Sequence, residues 1–266
     1  MTFSLRTTIN KINEIIKKLY YEPPSILAKF FVKIMNSEIS NNRPPYGCIN
    51  EAVNFAFSYR SRLFRVFKTM PFKPEFAPFT IIPNQVPCEI LALLEILVKL
   101  KPQRILEIGT ERGGTLFLWT YIATEDATII SLDLHPGHYT FGHSYPYWKE
   151  NVYKNFKFLD QRIHLIRGNS HDLRTLRSVI AVLDGMLDFL FIDGDHTYEG
   201  LKKDFEMYSP LVRRGGIIAF HDIVNGPPEK VGGVPRFWSE IKHSYRHIEL
   251  VKDWDQGGFG IGVLYI

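Results

Sequence analysis

The sequence predicts an α/β fold, with an open sheet whose core is parallel and whose last strand is antiparallel, preceded by an N-terminal helical cap. From about residue 104, short apolar runs alternate with helical patterns, which is typical of consecutive βαβ units. Two final apolar runs are separated by Asp255-Gln-Gly257, which indicates a turn between antiparallel strands. Helical periodicity and prolines fill the N-terminal third instead. We therefore expect a cap and proline-rich connection over residues 1–85 and a ligand-binding α/β domain over residues 86–266.

The α/β domain begins with a helix, predicted over Cys88 to Leu100, that precedes the first strand. The five strands of the parallel core are predicted at Arg104 to Ile108, Thr128 to Asp133, Ile163 to Arg167, Leu187 to Asp193 and Gly216 to His221. The helices between them are predicted at Gly113 to Ala123, Tyr147 to Leu159, His171 to Val182 and Tyr198 to Leu211. After a loop rich in glycine and proline, the closing elements are a short helix at Pro235 to Lys242 and strands at His247 to Trp254 and Gly258 to Ile266.

The N-terminal third is basic and reads as helical. Residues 1–85 hold 12 Lys and Arg against 5 Asp and Glu, whereas the remainder holds 20 against 23. Apolar residues fall on one face of Ile9 to Leu19, and a second helical stretch runs from Ser25 to about Ile39. The simpler interpretation is a cap or a contact in a homo-oligomer. Contact with an anionic membrane surface is the less favoured alternative.

Composition indicates an ordinary globular protein. Hydrophobic residues make up 45% and charged residues 23% of the chain, and no apolar run approaches the roughly 18 residues of a membrane span. The two cysteines, Cys48 and Cys88, are too few for a disulfide framework and indicate a reducing compartment. We expect a cytoplasmic protein.

The segment Ile105-Leu-Glu-Ile-Gly-Thr-Glu-Arg-Gly-Gly-Thr115 reads as a strand, a glycine turn and the start of a helix. Such a turn brings a ligand close to backbone N–H groups and to the positive end of the helix dipole. A dinucleotide fingerprint would carry a second glycine where Glu111 stands. Glu107 and Glu111 would repel a pyrophosphate, whereas a ligand with an α-amino group and a sulfonium tolerates them. A nicotinamide-dependent oxidoreductase is therefore the less favoured interpretation of this loop.

Polar residues follow the other strands as well. Asp133 is placed to accept hydrogen bonds from ribose hydroxyls, and Asn169 and Ser170 could reach an adenine edge. Ligands bind an open α/β sheet at the carboxyl ends of its strands, so these side chains should converge on one rim. The candidate cofactor-binding residues are Glu107, Gly109, Thr110, Glu111, Gly113, Gly114, Thr115, Asp133, Leu134, Asn169, Ser170 and Asp193.

Four motifs between about residues 100 and 225 complete the pattern: Leu106-Glu-Ile-Gly-Thr-Glu-Arg-Gly-Gly-Thr115, Ser131-Leu-Asp133, Asp188-Phe-Leu-Phe-Ile-Asp-Gly-Asp-His-Thr-Tyr198 and Pro210-Leu-Val-Arg-Arg-Gly-Gly-Ile-Ile-Ala-Phe-His-Asp222. With them the sequence resembles the class I S-adenosylmethionine-dependent methyltransferases, in the branch of catechol-type and macrolide-type or glycan-modifying O-methyltransferases. That family has a Rossmann-like sheet with an antiparallel last strand. The resemblance implies methyl transfer from S-adenosylmethionine to a hydroxyl of a small molecule or glycan, with Glu107, Gly109 and Asp133 as cofactor contacts.

The resemblance also points to a metal site, because several members of this branch hold a divalent cation at the ends of the fourth and fifth strands. The matching residues are Asp193, His221 and Asp222. A histidine in this set leaves two alternatives open: Mg²⁺ or another divalent cation, or no metal with His221 as a base or hydrogen-bond donor. His196 is the leading candidate for a general base and Asp193 for the second catalytic residue.

Two alternatives to an enzyme are a nucleic-acid-binding surface in the N-terminal third and an interaction module without enzymatic activity. Arg60, Arg62 and Arg65 interleave with aromatic residues, as in platforms that bind nucleic acid. Such a run is more often a solvated helix face, so we do not expect a nucleic-acid partner. The alternative without enzymatic activity is an interaction module that retains the fold.

A loop from His135 to Trp148, rich in histidine and aromatic residues, is interpreted as a lid over the acceptor.

Overall fold

A seven-stranded sheet organises the computed structural model, which describes residues 25–66, 81–136 and 144–266. Its strands are β1 Arg104–Ile108, β2 Thr128–Asp133, β3 Arg162–Arg167, β4 Leu187–Ile192, β5 Val212–His221, β6 Arg246–Leu250 and β7 Ile261–Tyr265. Their order is β3-β2-β1-β4-β5-β7-β6. The pairs from β3 to β5 are parallel, and β7 runs antiparallel to both β5 and β6. The α/β fold with a parallel core and a reversed last strand is confirmed.

The helices cover both faces of the sheet. They are α1 Ser25–Asn42, α2 Ile49–Val66, α3 Pro87–Leu100, α4 Gly114–Ile122, α5 Glu150–Tyr153, α6 Leu173–Leu183, α7 Tyr198–Tyr208, α8 Pro228–Val231 and α9 Val234–Ile241. Short 3₁₀ turns lie at Tyr147–Lys149, Lys154–Phe156, Ser209–Leu211 and Lys242–Ser244. Among the described residues, no helix combines the length and apolar character that crossing a bilayer needs.

Strand alternation divides the core into two layers. Ile105 of β1 faces the layer formed with α1 to α4, whereas its neighbour Leu106 faces the layer formed with α6, α7 and α9. On the first face, Phe55 of α2 stacks on Phe117 of α4 with ring centroids 5.5 Å apart. Helices from the N-terminal third therefore share a core with the sheet.

Three features of the chain differ from the sequence-based expectation. The helix predicted at Tyr147 to Leu159 is a succession of short 3₁₀ and α turns, which brings Tyr153 and Phe156 into the core beside α4. The strand predicted to reach Trp254 ends at Leu250, and its partner begins at Ile261. Between them, residues 251–260 form a loop, because several of their polar groups bond to side chains outside the sheet.

The basic helix predicted at residues 9–19 lies outside the described residues, as do the side chains from residue 59 to residue 66 that carry the arginine pattern. Most of the predicted lid, residues 137–143, also lies outside them. Of the described remainder, Tyr145 and Trp148 are buried in the core and Tyr147 is exposed. Tyr145 lies under the guanidinium of Arg167, 3.3 Å from the ring centroid. Two of the aromatic residues that the sequence assigned to the lid are therefore core residues.

Candidate active site

A cavity of about 580 Å³ opens at the carboxyl ends of the parallel strands, within the size range of small-molecule sites. Ten of the twelve predicted cofactor-binding residues line it: Gly109, Thr110, Glu111, Gly114, Thr115, Asp133, Leu134, Asn169, Ser170 and Asp193. Glu107 and Gly113 do not line it. Glu107 is fully buried beneath the loop, and Gly113 turns the chain into α4. Polar residues that follow several different strands thus line one cavity.

The glycine loop is held between two other parts of the chain. Gly109 has φ 93°, and a Cβ atom there would lie 2.0 Å from the carbonyl oxygen of Asp193. A Cβ atom on Gly114 would lie 2.1 Å from the backbone nitrogen of Pro83. Real Cβ atoms do not approach backbone this closely, so both positions require glycine. The loop consequently lies in contact with the end of β4 on one side and with the connection before α3 on the other.

Glu107 is a buried carboxyl group below the loop. It accepts hydrogen bonds from the Thr115 hydroxyl and from Nε1 of Trp119, the latter at 2.9 Å, while its Oε2 has no partner among the described residues. Burial raises its pKa to about 8, although both hydrogen bonds act in the opposite direction. Glu107 is therefore mostly protonated at neutral pH, so the expected repulsion of phosphate would have to come from Glu111.

Asp133 ends β2 at the cavity wall. Its Oδ1 accepts from the backbone N–H of Leu134 at 2.7 Å, and its Oδ2 accepts from that of Glu111 at 3.2 Å. Burial raises its pKa to about 6, and the charge of Arg167 limits the rise. At pH 7 the carboxylate is largely ionised and lies next to the glycine loop, where it can accept hydrogen bonds from a ribose.

At the end of β3, Asn169 and Ser170 face the same cavity. Oδ1 of Asn169 accepts from the N–H of His171 at 2.9 Å, and the carbonyl of Ser170 accepts from the Tyr208 hydroxyl at 2.9 Å. His171 also lines the cavity, and its Nε2 lies 3.3 Å from the buried carboxylate of Asp204. These contacts fix the backbone of the turn after β3.

A cluster of two carboxylates and two imidazoles lies where β4 and β5 end. Oδ1 of Asp193 lies 3.2 Å from Nε2 of His196 and 3.2 Å from Nδ1 of His221. Oδ2 of Asp222 lies 3.5 Å from Nδ1 of each histidine. Burial opposes ionisation of Asp193, but His221 and His196 outweigh it and lower the pKa of this carboxyl group. Asp193 is thus a partly buried carboxylate stabilised by its imidazole neighbours.

The surroundings of His196 favour its doubly protonated form. Its Nε2 faces Asp193, and its Nδ1 lies 2.6 Å from the carbonyl oxygen of Lys230, so both ring nitrogens face acceptors. Burial alone would lower the pKa of His196, but the hydrogen bond to Asp193 and the charge of that carboxylate raise it to about 9. The pKa of His221 is also raised, because the charges of Asp193 and Asp222 outweigh its burial.

Three residues of the cluster have the spacing of metal ligands. One ligand atom from each of Asp193, His196 and Asp222 can be chosen so that all lie within 4.8 Å of one another. The sequence pointed to His221 with the same two acids. His221 does contact both, but its side chain is only 1% exposed and does not line the cavity, whereas His196 does.

Sequence reasoning missed two residues of the site, Gln85 and Glu89. Gln85 lines the cavity and donates from Nε2 to Oδ2 of Asp193 at 2.9 Å. Glu89, buried in the first turn of α3, accepts from the N–H groups of Lys252 and Gly260 at 2.9 and 3.0 Å and from Nε2 of Gln256 at 2.8 Å. Neither residue belongs to a motif. The one signal for Glu89 was a charged residue at a helix position whose neighbours are apolar.

Comparison with known proteins agrees with this geometry. Residues 106–223 match a family model described as a methyltransferase domain. An uncharacterized protein of Acanthamoeba polyphaga mimivirus is 35% identical over 77 residues, which cover 28% of this chain and 34% of that protein. A second uncharacterized protein, from Sinorhizobium fredii, is 27% identical over 53% of this chain and 15% of its own length. The chain thus spans about a third or less of the length of these curated relatives.

Solved structures resemble the whole fold. An O-methyltransferase from Bacillus cereus in complex with SAH superposes with a TM-score of 0.53 at 16% identity, covering 90% of this chain and 100% of that one. The O-methyltransferase TomG from Streptomyces achromogenes, involved in tomaymycin synthesis and solved with SAM, gives 0.53 at 15% identity over 88% and 96% of the two chains. At these identities the likeness concerns the fold, and the motifs and family match concern the domain. Residues 106–223 of the chain are thus similar to a methyltransferase domain, and the whole chain has the fold of these O-methyltransferase structures.

Proposed function

We propose that this protein transfers the methyl group of S-adenosylmethionine to a hydroxyl oxygen of a small molecule or glycan. One observation carries the proposal: the glycine loop and the acid–imidazole cluster share a wall of one cavity, since the backbone of Asp193 lies against Gly109. A cofactor in the loop would therefore lie beside groups that can hold or move a proton. The fold likeness to O-methyltransferases supports oxygen as the acceptor atom.

The cavity fits the parts of this cofactor. Asp133 offers a carboxylate for ribose hydroxyls, and the N-terminus of α4 at Gly114 offers backbone N–H groups for the methionyl carboxylate. Glu107 is mostly neutral and Glu111 pairs with Arg112 at 3.2 Å, so neither places an uncompensated charge in the loop. When bound, S-adenosylmethionine supplies an electrophilic methyl group on a sulfonium, and no enzyme nucleophile is needed.

The cluster would serve the acceptor. Removal of the hydroxyl proton requires a base within hydrogen-bond reach, and His196 is the imidazole of the cluster that lines the cavity. Asp193 accepts from Nε2 of His196 and fixes the orientation of the ring. With a pKa of about 9, His196 is mostly protonated at pH 7, so it acts as a hydrogen-bond donor there and as a base at higher pH.

A divalent cation is the second candidate for the same role. Asp193, His196 and Asp222 would hold it, and its charge would lower the pKa of an acceptor hydroxyl. Two carboxylates with one imidazole are suitable donors for Mn²⁺, Fe²⁺ or Zn²⁺, whereas Mg²⁺ prefers oxygen alone. Occupation would require His196 to release the proton that now faces one of the two acids.

The acceptor would approach from the side of residues 222–259. Glu229, Lys230 and Phe259 line this part of the cavity, and the N–H of Phe259 donates to Oδ1 of Asp222 at 2.8 Å. Charged groups beside an aromatic ring are suited to a polar ring such as a sugar or a phenol. This lining supports a hydroxylated acceptor.

Methyl transfer with labelled S-adenosylmethionine tests the proposal. The protein is incubated with a panel of phenols, catechols and nucleotide sugars, before and after treatment with a chelator and with Mg²⁺, Mn²⁺ or Zn²⁺ added back. We expect an O-methylated product, and a loss of at least a hundredfold in Asp193→Asn with no loss in the exposed control Asp160→Asn. Label transferred to nitrogen alone would contradict oxygen as the acceptor. Activity that survives chelation would exclude the metal candidate.

A further inference from the structure

Gln85 lines the cavity with one of its two amide atoms hydrogen-bonded and the other without a partner among the described residues. It lies in the connection before α3, its side chain is 5% exposed, and it lines the cavity. Nε2 donates to Oδ2 of Asp193 at 2.9 Å, whereas Oε1 is buried with no partner among the described residues. Buried polar atoms are normally paired, so this oxygen points to a donor that a ligand supplies.

The orientation of the Gln85 amide is fixed by chemistry. Asp193 is a carboxylate and can only accept hydrogen bonds, so the NH₂ group of Gln85 must face it. Rotating the amide by half a turn would place Oε1 against a carboxylate oxygen and lose the bond. Oε1 is therefore held as an acceptor directed away from Asp193.

Neighbouring backbone identifies which part of the cofactor lies near this oxygen. The backbone of Ile82 and Pro83 packs directly on Gly114, the first residue of the nine-residue helix α4. The only anionic group of S-adenosylmethionine is its α-carboxylate, and the N-terminus of a helix favours an anion. A carboxylate bound there places the α-ammonium, attached to the same carbon, beside residues 82–85.

We infer that Oε1 of Gln85 accepts a hydrogen bond from the α-ammonium of the cofactor. Gln85 thereby favours a ligand that carries the α-amino group over one that lacks it. The inference rests on the proposed cofactor site and adds a residue outside the motifs to it. Gln85 is shared between two roles: its NH₂ group orients Asp193 and its carbonyl oxygen binds the ammonium. It thereby connects the position of the cofactor to the carboxylate at the reaction centre.

Calorimetry with two ligands tests this pairing. The full chain is titrated with S-adenosylhomocysteine and with its analogue that lacks only the α-amino group. The wild-type protein should prefer the amino form, and Gln85→Met, which keeps the length of the side chain, should reduce that preference at least tenfold while binding of the deamino analogue stays the same. Glu95→Gln, at an exposed position of α3 that does not line the cavity, should keep the wild-type preference.

Other outcomes are equally informative. An unchanged preference in a folded Gln85→Met protein, including an equal loss of affinity for both ligands, would overturn the inference. Failure of the wild-type protein to bind either ligand would instead overturn the cofactor site itself. If Gln85→Met does not fold, Gln85→Asn withdraws both amide atoms by one methylene and has the same expected loss of preference.

Discussion

Burial sets the charge of individual residues at this site more than sequence position does. Glu107 is the penultimate residue of β1 and Asp133 is the last residue of the neighbouring strand β2, and burial raises the pKa values of their carboxyl groups to about 8 and about 6. Burial acts in the same direction at Asp193, but the pKa of its carboxyl group is lowered because two imidazoles face it. At neutral pH Glu107 is therefore mostly protonated, whereas Asp133 and Asp193 are ionised, although the three acids look alike in the sequence.

Glu107 gives a pH dependence of stability. Its pKa in the folded protein lies above the value of about 4.5 in the unfolded chain, so its stabilising contribution is full below pH 4.5 and is lost as the pH rises through about 8. Glu107→Gln mimics the protonated form. We expect the melting temperature of the variant minus that of the wild type to increase as the pH rises from 5 to 9.

The control for this series is Glu95→Gln, an exposed glutamate of α3, whose difference from the wild type should not change with pH. A difference between Glu107→Gln and the wild type that is constant from pH 5 to pH 9 would show that Glu107 is ionised in the folded protein.

His196 predicts the pH dependence of activity. Because its pKa is raised to about 9, the base form grows about tenfold per pH unit below that value. In the metal-free reaction, kcat/KM should rise with a slope near one up to about pH 9, and His196→Gln should lose roughly 10²- to 10⁴-fold in rate together with this slope. The exposed His243→Gln is the matched control. A wild-type profile that is flat from pH 6 to pH 9 would remove His196 as the base.

At the scale of elements, one buried carboxylate connects α3 to the loop at residues 251–260, part of which lines the cavity. Glu89 receives three hydrogen bonds from residues 252–260, and this loop brings Gly258 and Phe259 to the cavity. The loop ends where β7 begins, and β7 pairs with β5, which carries Asp222 at its end. The position of residues 252–260, and of the cavity wall that they form, therefore depends on a helix that precedes the sheet.

Glu89→Ala should loosen this wall without affecting the cofactor loop. The N–H groups of Lys252 and Gly260 would lose their acceptor, so we expect faster hydrogen exchange in residues 252–260, a raised acceptor KM and an unchanged Kd for S-adenosylhomocysteine. Glu95→Ala, on the exposed face of the same helix, should have neither effect. Equal losses in acceptor and cofactor binding would mean that Glu89 supports the whole fold instead.

At the scale of the whole molecule, helices on either side of residue 85 belong to one core. Phe55 of α2 is 2% exposed and stacks on Phe117 of α4. Met35 and Ile39 of α1 are buried in the same layer. The described helices before residue 66 therefore bury a face of the sheet domain and should unfold with it.

Phe55→Ala tests this cooperativity. Removing a buried phenylalanine costs about 3–5 kcal/mol. A shared core predicts one denaturant transition, followed by both fluorescence and circular dichroism, with its midpoint lowered for the entire chain. The exposed neighbour Asn54→Ala should leave the midpoint in place. A separate early transition, with the main one unmoved, would establish an independent cap.

The sequence predicts the sheet and the residues at its strand ends, because short apolar runs and the polar residues that follow them are local signals. It placed Gly109, Asp133 and Asp193 at one cavity for that reason. It could not find Gln85 or Glu89, since their partners lie 108 and up to 171 residues away. The same holds for the loop at 251–260, whose apolar residues extend the strand pattern while its polar groups bond to side chains far along the chain.

The central claim is that this cavity binds S-adenosylmethionine, and calorimetric titration with S-adenosylhomocysteine tests it most directly. The account predicts one ligand per chain, at least tenfold weaker binding in Asp133→Asn with the exposed Asp126→Asn as the unaffected control, and no heat with NAD. A folded wild-type protein that gives no binding heat with S-adenosylhomocysteine, or that binds NAD in its place, would contradict it.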